Sequence, residues 1–441
     1  MRFGFLVTVM LLTGFVRLVA AAPDFILTIK TERADALYAE NETVMFVITL
    51  THGGQPVEGA EVDWKISKDG MPPVTSGRAV LEKGEARVTG SLPEPGFLQC
   101  RAEYAGATEN GGKPLVALAG AGISPRKIRP SLPPPDDFDA FWAAQKAALA
   151  KVPANVRLTP VSGQDASLAF FDAQVDCVDG VPVSGYLVRP ADAKPKSLPA
   201  ILTVHGAGVG SARIEAAANW ARQGVLALDI NAHGLPNGQP QAWYDSLREG
   251  ELKDYRIRGR TARDTIYFRG MFLRVLRALD VLAAQPEWDG RTLVIQGSSQ
   301  GGAQAIAGAA LDPRVTFFVA GVPAMCDHSA LLAGRAAGWP KMVPADAAGK
   351  PHARALEAAR YYDMVNFASR IRRPGFFTVG FIDTTCPPTS VYAAFNALRG
   401  TGRIFDDLAA GHTNTPEAMK RMRQAIRRHI QDQGKLFYMS K

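Results

Sequence analysis

Residues 297–302 read Gly297-Ser298-Ser299-Gln300-Gly301-Gly302. The apolar run Leu293-Val294-Ile295 leads into them, and small residues from 303 to 310 follow. A G-x-S-x-G segment between a strand and a helix forms a turn too tight for Cβ atoms on either side of the serine. The serine is then held in a strained backbone conformation with its Oγ exposed at the strand end, poised to attack a carbonyl carbon. The plain alternative is a glycine-rich turn with a solvated serine. Glycine makes up about 7% of ordinary sequence, so the pattern also arises by chance. The strand before and the helix after favour a nucleophile at Ser299.

A serine hydroxyl needs a histidine to take its proton, and that histidine needs a carboxylate to orient it. In enzymes with this elbow the chain order is serine, acid, histidine. Of the 7 histidines, His328, His352, His412 and His429 follow Ser299. His429 lies in a basic C-terminal helix and reads as exposed. His328 and His352 come before the last buried strand, too early for that order. His412, in Ala409-Ala410-Gly411-His412, falls in a loop between a short strand at 403–405 and the final helix, where the base belongs. The acid belongs just beyond the preceding strand. The run 377–382 ends at Asp383, and Thr384-Thr385-Cys386-Pro387-Pro388 follows, with prolines that stop the strand. Asp383 is the expected acid. Asp406 and Asp407 compete, but so close to His412 they also suit a turn.

An oxyanion hole needs two backbone N–H groups aimed at the developing charge. Gln300, just after the nucleophile, supplies one. The loop Val204-His205-Gly206-Ala207-Gly208 supplies the other from Ala207 or Gly206, and places His205 and Gly206 at the pocket. His233, in Asn231-Ala232-His233-Gly234, either lines that pocket or caps a turn. Read as a phosphate cradle, Gly206, Gly208 and Gly210 lack the Gly-Lys-Ser/Thr that would follow. Serine acyl transfer calls for no metal and no cofactor.

These residues need a sheet to position them. From about 165 the chain alternates short buried runs with helical patterns: a hairpin at 170–175 and 181–188, strands at 200–204 and 225–229, a long helix over 265–284, then the elbow and strands at 315–319 and 376–379. That is a mostly parallel, doubly wound α/β sheet, with its site at the carboxyl ends of the strands. Residues 23–123 read differently. Val62, Trp64 and Ile66 alternate with charged residues, as do Leu98, Cys100, Ala102 and Tyr104 with polar ones, and Gly-rich turns intervene. Short strands so spaced predict an immunoglobulin-like β-sandwich, read as a packing or spacer domain rather than a sugar-binding one. A linker at 124–137 carries Pro125, Pro130, Pro133, Pro134 and Pro135 and reads as extended. Phe138, Phe141 and Trp142 then open an amphipathic helix at the start of the 138–441 domain.

The 441 residues are 47% hydrophobic and 21% charged, enough for two or three cores. Met1-Arg2, an apolar stretch at 3–16 and small residues before Pro23 predict a signal peptide over 1–21 and an exported protein, periplasmic or extracellular. No later stretch is long and apolar enough to span a bilayer. The formal charge is +8, and losing Arg2 and Arg17 with the leader leaves +6. That mild excess, with Lys420, Arg421, Arg423, Arg427 and Arg428 at helical spacing, reads as a solvated face and not a nucleic-acid site. The four cysteines lack metal-binding spacing and read as buried free thiols.

From about 130 onward the chain resembles the acetyl xylan esterase and cephalosporin C deacetylase family, carbohydrate esterase family seven. The resemblance rests on Gly297-Ser298-Ser299-Gln300-Gly301-Gly302, on Asp383-Thr384-Thr385-Cys386-Pro387-Pro388, and on Phe138-Asp139-Ala140-Phe141-Trp142, Gly321-Val322-Pro323 and Gly185-Tyr186-Leu187-Val188-Arg189-Pro190. It implies an α/β-hydrolase fold, Ser299 as nucleophile, Asp383 as acid, His412 as base, and the N–H groups of Ala207 and Gln300 as the oxyanion hole. It further implies removal of short acyl groups, chiefly acetyl, from carbohydrate hydroxyls such as those of xylo-oligosaccharides, and homo-oligomers that an added domain could block. Two departures bear on substrate preference: Asn231-Ala232-His233 stands where the family has Arg-Gly-Gln, and Thr413 where it has Glu. A prolyl-oligopeptidase-like peptidase and a non-catalytic glycan-binding protein are the rival readings.

Overall fold

The computed structural model describes residues 25–106, 113–163 and 165–439. The expected signal peptide lies outside them. Among the described residues nine strands come first: β1 (Phe25–Thr31), β2 (Leu37–Tyr38), β3 (Val44–His52), β4 (Gln55–Pro56), β5 (Glu61–Lys68), β6 (Pro73–Val80), β7 (Glu85–Gly90), β8 (Gly96–Tyr104) and β9 (Leu115–Ile123). β3 pairs with β1, β4 and β7 in one sheet, and a second runs β2-β9-β8-β5-β6. Val44, Phe46, Ile48 and Leu50 alternate into the core between the sheets, as the strand period of two requires. The alternation breaks on β8, where Phe97, Leu98, Gln99 and Cys100 are all buried. The outer face of that strand is covered by the rest of the protein: the Phe97 ring meets Phe381 edge-on at 4.9 Å and Tyr392 at 5.5 Å.

The proline-rich stretch is extended after one short turn, and it is pinned along its length. Asn396 donates to the carbonyls of Pro125 and Ile128 at 2.8 and 2.9 Å, Ser131 donates to the Asp327 carboxylate, and Arg360 donates to the Pro133 carbonyl. Helix α1 (Phe138–Ala150) then buries Phe138, Phe141, Trp142 and Leu149, the face its spacing predicts.

The larger unit follows as β10 (Arg157–Pro160), β11 (Leu168–Val175), β12 (Val183–Pro190), β13 (Leu198–Val204), α2 (Ile214–Ala221), β14 (Leu226–Ile230), α3 (Gln241–Glu249), α4 (Phe268–Ala284), β15 (Trp288–Ser298), α5 (Gln300–Leu311), β16 (Phe317–Gly321), α6 (Ala353–Ala359), α7 (Met364–Ala368), β17 (Gly375–Gly380), α8 (Pro388–Ala397), β18 (Gly402–Asp407) and α9 (Pro416–Met439). Its nine strands form one sheet in the order β10-β11-β12-β14-β13-β15-β16-β17-β18. Pairing is antiparallel from β10 to β14 and parallel from there on. Leu293, Val294 and Ile295 on β15 have 0% exposure because helices cover both faces. Leu293 and Ile295 pack with α4 and α5, and Val294 packs with α2 and α9. Among the described residues no helix is long and apolar enough to cross a membrane.

One buried polar contact joins the two units. The Asp69 carboxylate accepts from the Thr389 N–H and hydroxyl, each at 2.7 Å. Burial pushes its pKa up to about 6, from an ordinary 3.8. A carboxyl whose folded value is raised favours the folded state while protonated, and that stability is lost as pH climbs through the folded value. Asp69→Asn keeps an acceptor for the Thr389 N–H and buries no charge. Chemical denaturation across pH 4–8 should therefore show the substituted protein gaining on wild type by about 3 kcal/mol as pH rises from about 4 to 7. Parallel curves for the two proteins would show that Asp69 titrates normally.

Candidate active site

Ser299 stands at the sharp turn between β15 and α5 with φ 57° and ψ −122°, a conformation rare for a residue with a Cβ. Space explains the flanking glycines. A Cβ at Gly297 would lie 2.3 Å from the Gly301 carbonyl oxygen, and one at Gly301 would lie 2.5 Å from that of Val204. The turn is clamped by β16 and the loop after it: the Ser299 N–H donates to Gly321 at 2.8 Å, and Ala324 donates to the Ser299 carbonyl at 3.0 Å.

From the ends of neighbouring strands come two further groups. His412 Nε2 lies 2.8 Å from Ser299 Oγ, and His412 Nδ1 lies 2.8 Å from Asp383 Oδ2. A carboxylate only accepts, so Nδ1 carries the proton and Nε2 is left as acceptor for the serine hydroxyl. Asp383 is fully buried, and its other oxygen accepts from the N–H groups of Thr385 and Cys386 at 2.8 and 2.9 Å. The loop after β17 therefore holds this carboxylate with main-chain donors. Cys386 brings a third donor atom within 4.8 Å of this pair. Burial holds its thiol well above the ordinary value, and Asp383 and His412 are already committed to each other.

The competing acids are engaged elsewhere. Asp406 accepts from the Tyr392 hydroxyl at 2.7 Å, and Asp407 accepts from Thr415. The other late histidines are also accounted for. His352 caps α6 by accepting from the Ala355 N–H, and His328 is buried. His429 departs from its expected exposure. It stacks on Phe317 at 4.8 Å and bonds Thr316, because α9 lies against β16. Burial lowers its pKa to about 4.

Gln300 is the first residue of α5, so its N–H belongs to the donors that a helix start leaves free. Its buried side chain is fixed through Oε1, which accepts from the Tyr255 hydroxyl at 2.7 Å. Across the turn, Gly206, Ala207 and Gly208 follow β13. His205 Nδ1 donates to the Gly206 carbonyl at 2.7 Å, while its Nε2 accepts the Ala232 N–H at 3.2 Å. Its burial lowers its pKa from the ordinary value.

Pocket lining and turn capping were the two roles expected for His233, and its ring is held by contacts to Gly208 and Tyr267. Its ring is buried beneath the loop, where Nε2 donates to the Gly208 carbonyl at 3.0 Å and Nδ1 accepts from the Tyr267 hydroxyl at 2.8 Å. Burial, helped by the nearby Arg274 charge, pulls its pKa down to about 3, which keeps the ring neutral. Arg274, on α4, donates in turn to the Ala232 carbonyl at 2.7 Å. Tyr255, Tyr267 and Arg274 carried no sequence signal, since they lie in a connection and a helix that pattern alone reads as scaffold. Asn414 was missed too: it accepts from Thr378 at 2.6 Å and donates to Ser298 at 2.9 Å, which ties the His412 loop to the elbow.

Residues 125–421 match the model of the acetyl xylan esterase (AXE1) family. The chain is 31% identical over 382 residues to the acetyl esterase Axe7A of Xylanibacter ruminicola, covering 85% of this chain and 84% of that one. An acetyl xylan esterase from Paenibacillus sp. R4 superposes with a TM-score of 0.59 at 26% identity, over 69% of this chain and 98% of that one. Acetyl xylan esterase 1 from Thermoanaerobacterium sp. JW/SL YS485 shares the fold, with a TM-score of 0.55 at 22% identity over 68% of this chain and 96% of its own. The chain belongs to the acetyl xylan esterase family and is a carboxylic ester hydrolase with an α/β-hydrolase fold.

Proposed function

We propose that the protein is an exported serine esterase that removes acetyl groups from carbohydrate hydroxyls, with Ser299, His412 and Asp383 as its triad. The observation that carries the reading is the unbroken relay from Ser299 Oγ through His412 to buried Asp383, 2.8 Å at each step, on a strained strand-to-helix turn. The N-terminal residues 1–21 serve as the export signal, and the β-sandwich serves as a packing domain.

Ser299 Oγ attacks the ester carbonyl carbon as His412 Nε2 takes the hydroxyl proton. Asp383 stabilises the resulting imidazolium through Nδ1–H. The tetrahedral oxygen accepts from the N–H groups of Ala207 and Gln300. Collapse expels the sugar alcohol, which takes the proton back from His412. Water, deprotonated by His412, then attacks the acyl-enzyme; the second tetrahedral intermediate releases the acetate, and His412 returns the proton to Ser299 Oγ. In this scheme His233 is a positioning residue. It fixes the carbonyl of Gly208, next to the Ala207 donor, and it stays neutral throughout the neutral pH range.

Hydrolysis of p-nitrophenyl acetate, butyrate and octanoate tests the activity. Turnover should fall with chain length, and Ser299→Ala should lower kcat by roughly 10⁴-fold or more. Equal rates in both proteins would remove Ser299 as nucleophile, and a wild type inert to all three esters would favour a peptidase or a binding protein. For His233→Ala we expect kcat to fall about 10- to 100-fold with KM changed little, since only transition-state contacts are disturbed. His233→Gln, whose amide can still donate to Gly208, should recover most of that loss. A change confined to KM would place His233 in ground-state binding.

A further inference from the structure

A cavity of about 570 Å³ opens between α2 and α9, on the opposite face of the sheet from α5. Its floor is the ends of β13 and β15. It reaches Gly206, the residue before Ala207, and Ser298, the residue before Ser299. The volume lies within the ~300–1,000 Å³ span of small-ligand sites.

The walls are charged with one sign. Arg213, Arg423 and Arg427 line the cavity, and among the described residues no carboxylate does. The two α9 arginines are spaced i and i+4 and so share a helix face. Their neighbours on the helix are neutralised: Lys420 and Arg421 pair with Glu417, and Arg428 pairs with Asp432. Among the described residues Arg423 and Arg427 have no such acidic partner. The face read from sequence as simply solvated is therefore divided, with paired cations outside and unpaired ones turned to the cavity. Arg427 is positioned by donating Nε to Gln223 at 2.7 Å, which leaves its terminal nitrogens unspent. Under Arg213 the buried Asp229 is occupied by the Thr203 hydroxyl and the Arg213 main-chain N–H. Asn219 and Gln296 add amides, and Trp220 adds an aromatic wall.

Guanidinium groups match a carboxylate through paired N–H donors, and amides match hydroxyls. We propose that this groove is a subsite for an acidic sugar, a uronate residue carried on the acylated glycan, with its carboxylate bound by Arg423 and Arg427. The identity of the glycan rests on the esterase reading above. The chemistry that the groove shares with simple oxyanions is tested separately.

Calorimetric titration of the wild-type protein with ester-free oligosaccharides makes the test. A xylotriose bearing one glucuronic acid should bind at least about 10-fold more tightly than plain xylotriose, the worth of one good charged contact. The Arg423→Gln/Arg427→Gln double variant should lose that preference, while Arg423→Lys, which keeps charge without the planar fork, should fall between. Thermal melts show whether each variant is folded. Equal binding of acidic and neutral sugars by wild type overturns the proposal, as does a preference that survives in the folded double variant. Inorganic sulfate binding as tightly as the uronate sugar reduces the groove to a general anion site and also overturns it. Wild-type turnover of p-nitrophenyl acetate is read alongside. Its absence with uronate preference intact would fault the esterase reading alone, and its presence without uronate preference would fault the groove alone.

Discussion

The backbone of Ser299 is the constraint to which the rest of the site answers. A residue with a Cβ at φ 57° and ψ −122° carries roughly 1–3 kcal/mol of strain and persists only where its surroundings over-determine it. Here they do. β15 delivers the chain to the turn from the middle of a sheet buried on both faces, and Gly297 and Gly301 leave room for crossing backbone. The Gly321 carbonyl and the Ala324 N–H hold the peptide groups of the serine itself. The strain presents Oγ to His412 and leaves the first N–H of α5 free beside it. One distorted residue thus sets both the hydroxyl that faces His412 and the free N–H beside it.

Asp383 depends on a different kind of support. The loop carrying Asp383 is pressed between the large sheet and the N-terminal strands. A Cβ at Gly120 on β9 would lie 2.2 Å from the Phe381 carbonyl oxygen, and the ring of Phe97 on β8 meets the Phe381 ring. Gly70 sits against Pro387, and Asp69 caps the first turn of α8 through Thr389. Close packing of this sort transmits small displacements. The N-terminal strands therefore bear directly on the segment from Phe381 to Thr389, which contains both Asp383 and the main-chain donors that hold it.

Much of this was legible in the chain because it is written in local patterns. The elbow, the proline-terminated loop after Asp383 and the glycine-preceded His412 each combine a residue type with a recognisable place at a strand end, and the structure brings the three together. The buried runs of the α/β sheet and the alternation in the N-terminal strands were readable for the same reason. What local pattern could not carry was choice among neighbours. Asp406 and Asp407 differ from Asp383 only in their partners, Tyr392 and Thr415, which the fold supplies. His233 kept two readings open because its ring contacts are to Tyr267 and the Gly208 carbonyl, 34 and 25 residues away in the chain. His429 looked exposed because a basic helix was read without Phe317, the ring it packs on. The partition of the α9 cations into paired and unpaired sets likewise needed the groove to be seen.

Covalent capture decides whether Ser299 is the activated nucleophile. The intact protein would be treated with a fluorophosphonate, weighed, and mapped by peptide mass spectrometry. One adduct per chain is expected, on Ser299, forming in step with loss of ester hydrolysis and much more slowly in His412→Ala. An adduct on another residue, or full loss of activity with Ser299 unmodified, would contradict it.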